Sequence, residues 1–232
     1  MIRGQPVFAL HACSITADWE DSMTDIIEVF KQNHIKVNDK NKIVHIDPFL
    51  VDAASNDADF ILITHDHHDH FSPEDIKKTA GEHTVLIVPE NMKEKAAEAK
   101  NLVEKIVTVR PGDSCNVDGL EFETVASYNI GKPFHPKEAG WVGYILKING
   151  KRIYIAGDTD ATDEAKAVKC DIALVPAGGK YTMDAHEAAE LVNIIRPEVA
   201  IPVHYGGIVG TSGDGRTFEK QVADGIKVEL YI

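Results

Sequence analysis

Short apolar or alternating runs, each closed by Gly, Pro, Asp or His, recur along this chain, and between them lie stretches whose apolar residues return every three or four positions. The runs predict strands at Val7–Leu10, Ile43–Asp47, Phe60–Thr64, Thr84–Val88, Ile106–Val109, Leu120–Val125, Val142–Ile148, Arg152–Ala156, Ile172–Val175 and Val199–Val203. Asn149-Gly150 between two of them signals a two-residue hairpin turn. Ser72-Pro73-Glu74-Asp75 offers an N-cap, a proline suited to the first helical position and acids in the first turn, so a helix runs from there to about Ala80. Asp184 with Glu187 opens a second helix that stops near Arg196, because Pro197 restricts the residue before it. Trp19, Met23, Ile26, Ile27 and Phe30 fall on one helical face and predict a third helix from Asp18 to about Gln32, within a candidate helical insertion at residues 16–34. No linker, charge block or repeat interrupts the alternation, which predicts a single α/β domain over residues 1–232, its mixed sheets covered by helices and its binding groups in loops beyond strand ends.

Composition narrows the function classes. With 44% hydrophobic and 26% charged residues the chain is built to fold, and a net charge of −13 argues against a long nucleic-acid partner. No apolar run approaches the roughly 20 residues of a membrane-spanning helix, which argues against a membrane partner. The N-terminal residues lack the apolar core of a signal peptide, and Cys13, Cys115 and Cys170 are odd in number and far apart, so they read as reduced thiols. A cytoplasmic location is the expectation, and a homo-oligomer is compatible with it.

The chemistry is concentrated in Thr64-His65-Asp66-His67-His68-Asp69-His70, which holds four of the chain's 11 histidines. It follows an apolar strand and precedes the capped helix at Ser72, so its side chains can converge from a single loop. Imidazole nitrogens mixed with carboxylates suit zinc, manganese or iron, whereas calcium and magnesium prefer oxygens. Two further strands end on candidate ligands, Asp158 after Gly157 and His204 after Val203. Asp158 also reads as a helix N-cap and His204 as a packed histidine. His68 reads as exposed or supporting, His186 as facing either a cleft or solvent, and His11, His34, His45 and His83 have no motif around them. Asp47 either orients a ligand histidine or anchors the Asp47-Pro48 turn.

The His-x-His-x-Asp-His motif, the downstream Gly157-Asp158-Thr159 and the late strand ending in His204 resemble the metallo-β-lactamase superfamily. Ile46-Asp47-Pro48-Phe49 and the stretch from Leu174 to Met183 are similar to its branch of metal-dependent hydrolases that includes ascorbate-6-phosphate lactonase-like proteins. The resemblance implies a four-layer αββα sandwich of two mixed sheets with two divalent metal ions at one edge, zinc first and manganese as the alternative. By position, His65 and His67 would hold the first metal, Asp69, His70 and His204 the second, and Asp158 would bridge. The third histidine of the first metal is open: relatives often carry it where this chain has Asn129, and His135 in the Pro133–Pro136 loop is the substitute, with Asn129 itself or water as the rival.

Two such ions about 3.5–4 Å apart lower the pKa of a bridging water toward roughly 7, with Asp69 as the residue that orients the attacking hydroxide. The expected reaction is hydrolysis of a small anionic ester, lactone or phosphoester, its negative group gripped by Lys132, Lys137 or Lys180. A phosphodiesterase or nuclease, and a metal-binding sensor without turnover, are the alternatives.

Overall fold

The computed structural model describes residues 24–39 and 41–232. The expected strand Val7–Leu10, Cys13, His11, Trp19 and Met23 lie outside the described residues. One sheet holds, in spatial order, β1 (Ile27–Val29), β2 (Ile35–Asn38), β3 (Ile43–Ile46), β4 (Ala58–Leu62), β5 (Ala80–Pro89) and β6 (Lys105–Val109). The other runs in reverse spatial order through β7 (Ser114–Val117), β8 (Leu120–Ala126), β9 (Val142–Ile148), β10 (Lys151–Ile155), β11 (Ile172–Pro176), β12 (Val199–Val203) and β13 (Lys227–Val228). Each sheet is mixed: β1–β3 and β7–β10 pair antiparallel, whereas β3–β6 and β10–β13 pair parallel.

Three apolar layers make this a helix–sheet–sheet–helix sandwich. Between the sheets, Val44, Ile46, Phe60, Leu62 and Ile87 meet Phe122, Tyr144, Leu146, Ile155 and Leu174. Outside the first sheet, Ile61, Ile63, Leu86 and Val88 pack on α1 (Pro73–Thr79) and the helical stretch around α2 (Lys93–Ala96). Outside the second, Tyr154, Ala173, Val175 and Ala200 pack on α4 (Ala185–Ile195), while α3 (Asp163–Lys166) and α5 (Asp214–Gln221) complete that flank. The central strands are buried on both faces, which is why they read as continuous apolar runs.

The local signals act as their chemistry requires. The Ser72 hydroxyl accepts from the Asp75 amide, and Asp184 with Glu187 forms a reciprocal capping box. Asn149 and Gly150 both adopt left-handed φ values, 52° and 74°, in the tight turn joining β9 to β10. The helix expected from Asp18 to Gln32 is not formed where it can be seen: Ile27–Val29 is a strand paired antiparallel with Ile35–Val37. Ile27 is buried, Glu28 exposed and Val29 intermediate, a period of two that the helical spacing of the longer stretch concealed. The β-branched Ile-Lys-Val run of β2 gives it an immediate partner, and pairing decides the conformation.

His34 and His45 join a buried relay on the outer face of the first sheet. His34 Nε2 lies 3.0 Å from His45 Nδ1, and His45 Nε2 lies 3.1 Å from Asp57 Oδ1. Burial, reinforced by His45, pushes His34 down to about 3. The unfolded chain therefore binds a proton that the folded chain refuses between about pH 6.5 and 3, so His34 lowers stability as pH falls through that window, by about 1.4 kcal/mol per pH unit. His34→Gln keeps a donor for His45 and should make the slope of stability against pH shallower by about that amount, in urea unfolding of chelator-treated protein between about pH 6 and 4. An unchanged slope would show that His34 titrates in the fold.

Candidate metal centre

The polar residues gather at one edge because β4, β8, β10 and β12 all end there and β3 runs parallel to β4. After β4, the amides of His70 and Phe71 both donate to the His67 carbonyl, at 3.0 and 2.8 Å. That turn draws His65, His67, Asp69 and His70 inward and leaves the His68 side chain 83% exposed. After β10, Gly157 takes φ +66°, and a Cβ there would stand 3.0 Å from the Thr64 Cβ and 3.2 Å from Ser127 Oγ, so only glycine lets the Asp158 loop close on the motif. Asp158 caps no helix; Thr162 caps α3.

Asp158, 3% exposed, stands between two sets of donors. Its Oδ2 lies 3.3 Å from His135 Nε2 and 3.8 Å from His65 Nε2, and His65 Nε2 lies 3.1 Å from His67 Nδ1. Its Oδ1 lies 3.4 Å from His70 Nε2 and 3.3 Å from His204 Nε2. Those two nitrogens are 3.3 Å apart, and Asp69 Oδ2 stands 3.7 Å from the first and 3.6 Å from the second. The groups His65-His67-His135 and Asp69-His70-His204 each bring their ligand atoms within 4.8 Å of one another.

These distances fit ions. Ligands about 2.1 Å from a tetrahedral zinc stand about 3.4 Å from each other, the spacing seen around both faces of Asp158. His135 Nε2, on one side, and Asp158 Oδ1, on the other, are buried and have no hydrogen-bond partner, which is costly unless something electropositive stands beside each. Burial, with His70 next to it, drives His65 well below the ordinary histidine range, so it offers a lone pair. Burial and His135 lower His67 likewise. Burial would raise Asp158, but His204 and His70 hold it well below the carboxylate range; burial likewise opposes ionisation of Asp69, and His204 and His70 overcome it. His70 is raised despite its burial, because Asp158 and Asp47 face it. The two carboxylates thus call for positive charge at this point.

Residues 27–204 match the model of the beta-lactamase superfamily domain. A UPF0173 metal-dependent hydrolase of Methanopyrus kandleri is 34% identical over 207 residues, 82% of this chain and 88% of that one. This chain belongs to that hydrolase family. A second UPF0173 metal-dependent hydrolase, from Methanosphaera stadtmanae, is 31% identical over 86% of this chain and 92% of its own. A crystal structure from Parabacteroides distasonis, 30% identical, superposes with a TM-score of 0.75 and covers 88% of this chain and 91% of that one.

In this member of the metal-dependent hydrolases the structure brings together every residue expected at the cluster, and it separates the two candidates left open. His135 enters the cluster in a left-handed conformation, φ 53°. The Asn129 side chain instead lies 3.1 Å from His135 Nδ1 and donates to the Tyr181 carbonyl at 2.6 Å, so it braces the ring. Trp141 packs 5.0 to 5.4 Å from the rings of His65, His67 and His135, an apolar wall that fixes them. Asp47, fully buried, accepts from His70 Nδ1 at 2.7 Å, Thr64 Oγ1 at 2.6 Å, the Thr64 amide at 2.8 Å and Asn33 Nδ2 at 2.9 Å. It orients the His70 ring as well as holding its turn.

The β1–β2 turn supplies what the sequence reading missed. Gln32 and Asn33 are buried there, Gln32 at the cluster and Asn33 on Asp47. A strand in place of the expected helix was the signal, because a hairpin at this point carries its turn over the ligand loop. His186 is exposed at the start of α4, His83 is paired with Glu104 at the surface, and neither reaches the cluster. Over the cluster lies a pocket of about 270 Å³, its walls formed by His68, Phe134, Tyr181, Ile208 and Val209 above His67, Asp69, His135, Asp158 and His204. Lys132 is bound to Asp160 at 2.5 Å and Lys137 to Glu164 at 2.6 Å, and neither lines the pocket. Lys180 stands 4.6 Å above the ring of Tyr181, which itself lines the pocket. No described helix is long and apolar enough to cross a membrane.

Proposed function

We propose that this hydrolase holds two divalent ions, zinc by its imidazole-rich donor set, and cleaves a small anionic ester, lactone or phosphoester. His65, His67 and His135 would hold one ion, Asp69, His70 and His204 the other, with Asp158 between them. The observation that carries this reading is the division of Asp158, one oxygen toward each histidine set. The ions, when bound, supply Lewis acidity that turns water into a nucleophile near neutral pH and stabilises negative charge developing on oxygen. Asp69 is held as a carboxylate at the floor of the pocket, where it accepts a hydrogen bond from the attacking water and orients it. Phe134, Tyr181, Ile208 and Val209 line the walls and keep bulk water from the reacting bond. His135, braced by Asn129 and Trp141, needs no rearrangement to serve, which supports turnover over a silent sensor.

Two divalent charges, less the carboxylates of Asp69 and Asp158 and one hydroxide, leave about +1, so the site attracts an anion although the chain carries −13 overall. At about 8 Å and an effective dielectric of about 20–40 that attraction is about 1–2 kcal/mol, or roughly tenfold in kcat/KM. Protein purified without chelator should carry two equivalents of metal and hydrolyse small anionic esters about tenfold faster than neutral analogues of equal reactivity. Neutralising Lys180 should weaken the preference, and neutralising Lys132 or Lys137 should not. One equivalent or none would overturn the paired site; equal rates on both analogues, or a preference for a phosphodiester polymer, would overturn the substrate class.

A further inference from the structure

Gln32 occupies a place that the chemistry of the cluster leaves for one more ligand. The residue is 2% exposed and sits in the left-handed region at φ 61°, a strained conformation for a non-glycine residue that persists only where the surroundings enforce it. They do: the backbone carbonyl of Gln32 accepts from the His204 amide at 2.9 Å, tying the β1–β2 turn to the strand end that delivers a ligand. The side chain then projects its amide between two donors of the second group, with Nε2 3.0 Å from Asp69 Oδ2 and 3.0 Å from His204 Nε2. Its other terminal atom, Oε1, is buried and without any partner.

The spacing is informative. Two ligands at right angles on an ion about 2.1 Å from each stand about 3.0 Å apart, so a terminal atom 3.0 Å from both Asp69 Oδ2 and His204 Nε2 is where a fifth ligand would stand. With lone pairs alone facing it, the amide turns its N–H groups to them. A cation among those lone pairs reverses the preference, since an amide nitrogen cannot approach it and the unpartnered oxygen can.

We propose that Gln32 is a ligand of the second metal position, through its amide oxygen, which makes that position five-coordinate where the first is held by histidines and Asp158. The proposal rests on the two-ion reading above. It is tested on the full chain with cobalt(II) as the probe ion, by calorimetric titration of metal-free protein and by visible absorption of the loaded protein. Gln32→Met keeps the length and removes the oxygen; it should weaken the second equivalent of cobalt at least about tenfold, leave the first within twofold, and intensify the visible bands as the second ion becomes four-coordinate. Gln32→Glu restores an oxygen and should bind the second equivalent at least as tightly as the native chain. A residue that merely donates to Asp69 would give the opposite result, because a glutamate there repels Asp69 and would bind no better than methionine. If Gln32→Met leaves both affinities and the spectrum unchanged, or Gln32→Glu is as weak as Gln32→Met, the assignment is wrong. Native protein that takes up fewer than two equivalents would instead overturn the two-ion reading. Thermal unfolding of both metal-free variants checks that each is folded; if Gln32→Met is not, the glutamate variant decides alone.

Discussion

The double substitution His65→Ala/His67→Ala is expected to reduce bound zinc from two equivalents to one and to lower hydrolysis of small anionic esters by about a thousandfold or more. The first group would keep only His135 Nε2 and Asp158 Oδ2, 3.3 Å apart, and two protein donors do not hold zinc against water. The second group, with Asp69, His70 and His204, loses no ligand, so its ion should stay. Elemental analysis and esterase kinetics on the same preparation give both numbers. Retention of two full equivalents would remove His65 and His67 from the ligand set.

Asp47→Ala should be the most damaging single change outside the ligand set. Asp47 is completely buried, and four donors converge on its two oxygens: His70 Nδ1, the Thr64 hydroxyl, the Thr64 amide and Asn33 Nδ2. Alanine strands all four in a dry interior, which costs about 3–5 kcal/mol, and at about 2–4 °C per kcal/mol for a chain of this size the unfolding midpoint should drop by about 10 °C. It also frees the His70 ring to rotate, which should weaken the second metal position about 10- to 100-fold. Asp47→Asn retains the shape but turns N–H groups toward donors, so it should fall between the two. A midpoint within a degree or two of the native protein for Asp47→Ala would mean that water replaces the carboxylate, and Asp47 would lose its role as keystone.

Much of this was legible in the chain because it depends on local chemistry. A strand buried on both faces has to be apolar throughout, so β4, β9, β11 and β12 stand out against turns of Gly, Asp and Asn. Ser72 and Asp184 cap because a short side-chain oxygen satisfies free amides wherever a helix begins. Four histidines and two aspartates crowded into one short loop have no packing use but suit a metal, and that composition pointed to the centre before any geometry did.

What depended on partners distant in sequence was not legible. Ile26, Ile27 and Phe30 satisfy a helical period while Ile27 and Val29 satisfy a strand period, and only the pairing of Ile27–Val29 with β2 decides for the strand. That choice moves Gln32 and Asn33 from a helix end to a turn above the cluster, where Gln32 meets His204 from 172 positions away and Asn33 meets Asp47. Likewise nothing near Asn129 or His135 says which of them enters the histidine cluster; that is decided by Tyr181, whose carbonyl engages the asparagine amide, and by the left-handed turn that swings His135 in. Nor does anything near Lys132 and Lys137 name their partners, since Asp160 and Glu164, which pair with them, lie 28 and 27 residues away. The residue types at the strand ends determined which chemistry this protein can carry; the closing of two sheets into one edge decided which of those residues stand together, because a cluster of donors about 3–4 Å apart is set only by long-range packing.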